Sequence, residues 1–136
     1  MIRRILAAAA LLGSLFAAIL TATALAGHPI GDSNYIATDN HGRPYITLWM
    51  RTRRDMIFFG CYHWEKGPRH GDHLNNVKPI TVHSDGTFSY DGPASNLEGK
   101  TVHMKLSGHF SSGNVAVGVL TTTCATHYRF SANRDR

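Results

Sequence analysis

Residues 101–110 alternate without a break. Val102, Met104, Leu106, Gly108 and Phe110 fall on one side, and Thr101, His103, Lys105, Ser107 and His109 on the other. Side chains two apart share a face of a strand, so the pattern predicts a strand with one face on a core and one in water. His103, Lys105 and His109 are expected outside. A one-residue slip would reverse every face, which leaves little freedom in the register.

The same period recurs along the chain. Ile46, Leu48 and Met50 alternate with Tyr45, Thr47 and Trp49. Residues 56–64 (MIFFGCYHW) are apolar on both faces, which predicts a central strand covered on both sides, with Ile57 and Phe59 in the core. Asp85-Gly86 separates Ile80-Thr81-Val82 from Thr87-Phe88-Ser89-Tyr90, a hairpin signal because Gly tolerates positive φ. Residues 115–124 and 127–132 supply two more strands, while 27–44, 65–79 and 91–100 read as irregular. No segment after residue 26 has helical periodicity. The expected class is all-β, a single antiparallel β-sandwich (Ig-like or a related barrel-like sandwich) of about six to eight strands. Its predicted core is Ile46, Leu48, Ile57, Phe59, Val102, Met104, Leu106 and Phe110.

Residues 1–26 are expected to lie outside this domain. Arg3 and Arg4 precede an apolar run over 5–20, and Ala24-x-Ala26 supplies small residues before Gly27. That is the layout of a secretory signal peptide cleaved before Gly27. The run falls short of the roughly 20 residues of a spanning helix, so no membrane span is expected after cleavage. Residues 27–136 form the expected secreted domain, with twelve Lys and Arg against nine Asp and Glu, a balance of +3. This bias is milder than nucleic-acid binders show, and no nucleic acid is expected as a partner.

Export bears on the two cysteines. Cys61 and Cys124 are expected to pair, as thiols of exported proteins normally do. The rival is a reactive thiol, which the apolar surroundings of Cys61 disfavour.

A motif spine runs through the second half: Asp85-Gly86-Thr87-Phe88-Ser89, Gly108-x-Phe110, Ala116-x-Gly118, Cys124 and Ala132-x-Arg134. It resembles small secreted bacterial proteins of the actinobacterial type. The resemblance covers roughly residues 45–134 and implies an exported β-sandwich with no assigned activity. One departure is Cys124-Ala125-Thr126-His127, where that family has Cys-Ser/Thr-Gly before an aromatic.

Four groups of residues offer chemistry. His63, Glu65, His70, Asp72 and His73 form a histidine-rich loop that could hold copper or zinc, although no metal-site spacing such as H-E-x-x-H is present and Lys66 and Arg69 would repel a cation. His28, near the expected new N-terminus, could add an amine–imidazole copper site. Arg51, Arg53 and Arg54 form the densest basic cluster, suited to phosphate or acidic polysaccharide, or to an ordinary charged turn. Tyr45 and Trp49 could form a carbohydrate platform, or fill the second face of a sandwich core.

For catalysis, His63 with Glu65 would suit a small hydrolase. His103 and His109 lie about 20 Å apart along one strand, too far to share a scissile bond. The expected function is a secreted, non-catalytic binding module of the cell envelope or medium. Its ligand would be a carbohydrate, a cell-wall component or a protein. A copper or zinc binding protein is the first alternative and a small secreted hydrolase the second.

Overall fold

The alternation at residues 101–110 becomes the longest strand of the computed structural model, which describes residues 27–61, 74–96 and 98–136. In chain order the strands are β1 (Ser33–Thr38), β2 (Pro44–Met50), β3 (Asp55–Gly60), β4 (Leu74–Asn76), β5 (Ile80–Thr81), β6 (Thr87–Asn96), β7 (Thr101–Ser112), β8 (Val115–Thr122) and β9 (Ala125–Arg134). Met104, Leu106 and Phe110 are buried, while His103, Lys105 and His109 are exposed, as the sequence requires.

The strands do not form a sandwich. They run β2-β1-β9-β8-β7-β6-β4-β3, and β3 pairs back onto β2, so eight antiparallel strands close into a barrel. The ninth, β5, pairs with the start of β3 beside the ring. The expected two-sheet sandwich is corrected accordingly. Closure rests on the β1–β9 and β2–β3 pairings, and period-two alternation reads the same whether or not a sheet closes.

A barrel of eight strands has an interior just wide enough for side chains to fill. Tyr35, Ile46, Leu48, Met50, Met56, Phe58, Met104, Leu106, Phe110 and Leu120 are wholly buried and pack as one cluster. Rings of Phe88 and Tyr35 stand edge-on to Phe110, at 5.7 and 4.9 Å between centroids. Gly108 and Gly118 face each other across β7 and β8, where a Cβ would run into the Phe88 and Phe130 rings. Outward positions of β6, β7 and β9 are polar, among them Ser89, Asp91, Lys105, Arg129 and Ser131.

β3 carries the second correction. Met56, Phe58 and Gly60 point inward, whereas Ile57 and Phe59, predicted for the core, are half-buried on the outer wall. A barrel strand has one enclosed face, so the double covering expected of this run does not arise over residues 56–60, and 62–64 lie outside the described residues. Val102 is half-buried, packed against the edge of the core.

Three segments read as irregular contain strand. Tyr35 and Ala37 of β1 lie inside the barrel, β4 occupies 74–76, and β6 continues to Asn96. The Asp85-Gly86 turn forms as expected. Gly86 takes φ 81°, the His83 amide donates to the Thr87 carbonyl at 2.9 Å, and Val82 bridges to Phe88.

Cys61 and Cys124 form a disulfide with Cα atoms 6.0 Å apart, joining the end of β3 to the β8–β9 turn. This bond fits an oxidising, extracellular environment.

Candidate functional site

Residues 27–32 cross one end of the barrel as a strap. The Gly27 amide donates to the Phe110 carbonyl at 2.9 Å. Pro29 is buried, and the Ile30 amide donates to the Tyr35 hydroxyl at 3.0 Å. That hydroxyl donates onward to the Gly113 carbonyl at 2.7 Å. Tyr35 therefore anchors the strap from inside the barrel while its ring packs on Phe110. Asp32, at φ 53°, turns the chain into β1.

Two turns reach the same end. In the β2–β3 turn, the Thr52 hydroxyl accepts the amides of Arg54 at 3.2 Å and Asp55 at 3.1 Å. The Arg54 carbonyl accepts the Val82 amide at 2.9 Å, which ties this turn to the β5–β6 turn. Between these turns and the strap lies a cleft of about 250 Å³, lined by His28, Pro29, Arg53, Arg54, His83 and Ser84.

The cleft's charge is one-sided. Among the described residues no carboxylate lines it, and Arg53 and Arg54 have no ion pair. Arg51 differs from its neighbours. It pairs with Asp55 at 3.5 Å and borders a separate outer groove with Ile57 and Phe59. Asp85, the acidic residue of the β5–β6 turn, is directed to Thr87, accepting its hydroxyl at 2.6 Å and its amide at 3.0 Å. The Thr87 hydroxyl, then its amide, with a smaller contribution from the charge of His83, hold the Asp85 carboxyl below its ordinary value.

Two guanidiniums, two imidazoles and one hydroxyl, without an acceptor carboxylate, are suited to holding an oxyanion. Among the described residues Ser84 makes no hydrogen bond to His28 or His83.

The remaining candidates scatter. His63, Glu65, His70, Asp72 and His73 lie outside the described residues, as does the expected signal peptide over 1–26. Among the described residues no three His, Cys, Asp or Glu side chains converge. His28 is exposed and shares its cleft with His83 and two arginines, and among the described residues no third metal-ligating side chain joins the two imidazoles. Trp49 is 37% exposed on the outer wall. Tyr45, on the same outward face of β2, is half-buried towards the far end of the barrel, edge-on to Tyr128 at 5.2 Å. His103 faces Asp91 at 2.6 Å on the outer surface, and both are well exposed.

His83 and Ser84 were not legible as site residues. They lie some thirty positions beyond Arg53 and Arg54 in the chain, and the β3–β5 pairing together with the Arg54–Val82 hydrogen bond brings them alongside. Neither a family model, nor a curated protein, nor a solved structure matches this chain.

Proposed function

We propose that this chain is an exported, non-catalytic binding module that engages an anionic ligand at the strap-end cleft. The observation that carries the reading is the meeting of Arg53, Arg54, His28 and His83 in one cleft with no carboxylate among them. Such a concentration of one sign normally acquires counter-charges, and here, among the described residues, two of the three arginines of the β2–β3 turn have no ion pair. The filled barrel supports an external site, because the interior is occupied by side chains. Export is supported by the N-terminal pattern and by the disulfide.

The test is retention of the exported protein on immobilised anionic polymers and on neutral glycans, compared with an Arg53→Ala/Arg54→Ala variant. Retention on the anionic polymers should fall with added salt, as exposed charges are screened. The double variant should lose it. Equal retention of variant and parent, preference for neutral glycans, or depolymerisation of the bound polymer would each overturn the reading.

A further inference from the structure

Resting on the anion-binding reading above, we infer that the cleft is built for the phosphate of a phosphomonoester, held as a dianion between Arg53 and Arg54. The donors come from three separate segments: His28 from the strap, the arginines from the β2–β3 turn, and His83 with Ser84 from the β5–β6 turn. The lining thus draws its donors from three parts of the chain. A carboxylate offers two oxygens in one plane, whereas a terminal phosphate offers three around a tetrahedral centre. Each guanidinium presents a planar fork that pairs two oxygens at once.

Charge and size agree with this assignment. A monoester carries about −1.5 to −2 at neutral pH, which matches two guanidiniums better than a singly charged carboxylate or diester does. The cleft, at about 250 Å³, lies below the range of about 300–1,000 Å³ that encloses a whole drug-sized ligand. It therefore receives one headgroup, with the rest of the ligand outside. Among the described residues no Phe, Tyr or Trp lines the cleft, so the broad stacking platform typical of single-stranded nucleic-acid sites is not formed by them.

The experiment is calorimetric titration of the exported protein with inorganic phosphate, glycerol phosphate, acetate and a short single-stranded oligonucleotide at matched ionic strength. Inorganic phosphate and glycerol phosphate should bind about 10-fold or more tighter than acetate. Arg53→Lys and Arg54→Lys keep the charge but remove the fork, and should erase that preference with an unchanged melting temperature. His83→Ala should weaken phosphate binding independently of the arginine turn.

Phosphate and acetate binding equally, both abolished by Arg53→Ala/Arg54→Ala, would overturn the phosphate assignment and leave the anion-binding reading standing. Anion binding unaffected by the alanine variant would overturn both. An oligonucleotide binding more tightly than glycerol phosphate would replace the monoester with nucleic acid.

Discussion

The side-chain oxygen of Asn76 lies 2.8 Å from the Phe58 backbone nitrogen and accepts its hydrogen. Phe58 falls where β3 passes from its pairing with β5 to its pairing with β4, so no strand partner takes that amide. The amide of Asn76 donates in turn to the Lys78 carbonyl, at 2.6 Å. One buried side chain thus bridges an interruption in the barrel wall.

Replacing Asn76 by Ala leaves the Phe58 amide buried without an acceptor, which costs about 1–3 kcal/mol. Asn76→Asp keeps the acceptor but loses the donor to Lys78, and should also destabilise. Urea unfolding of the two variants checks both.

Gly118 tests how closely the interior is filled. An alanine Cβ there would stand 2.7 Å from the Phe130 ring and 2.7 Å from the Ser107 carbonyl oxygen. The ring can shift, but the carbonyl belongs to a paired strand. Gly118→Ala should cost about 1–3 kcal/mol by overpacking, read as a lowered melting temperature.

Removing the disulfide through Cys61→Ser or Cys124→Ser should cost about 2–5 kcal/mol, a large share of a small domain's stability. Titration of the denatured, unreduced parent should find no free thiol, in keeping with the bonded pair.

Asp85 sets a pH expectation. Its carboxyl is held below the ordinary value of 3.8, first by the Thr87 hydroxyl. The folded form therefore binds its proton less readily than the unfolded chain. The stability this contributes is present above 3.8 and is lost as pH falls through the folded value. Thr87→Val should move the Asp85 titration upward, as followed by carboxyl carbon shifts in NMR.

Much of this architecture could be read from residue order. The faces of β2 and β7 followed from Ile46, Leu48, Met104 and Leu106, and the Gly86 turn from its dipeptide. The face of β3 did not, because MIFFG is apolar at every step and alternation has nothing to alternate. Strand β1 was hidden by Asn34 and by small or polar neighbours at Ser33 and Thr38. Of the cleft, Arg53 and Arg54 stood out as a cluster, and His28 stood out for copper instead of for anions. The contribution of His83 depends on tertiary pairing that local patterns do not encode.

The β1–β9 seam has a consequence for the order of assembly. Tyr35 lies opposite Arg134, so the first strand of the barrel and the last hydrogen-bond to each other. A chain emerging from its N-terminus holds β1 with only β2 for company until β9 arrives. The ring then closes late, through contacts of high sequence separation that carry a loop-entropy cost. The strap inherits the delay, since its acceptor on Phe110, and the Gly113 carbonyl that holds the Tyr35 hydroxyl beneath it, also come late in the chain. The cleft at that end is therefore among the last features to exist, and an incompletely emerged chain cannot display it.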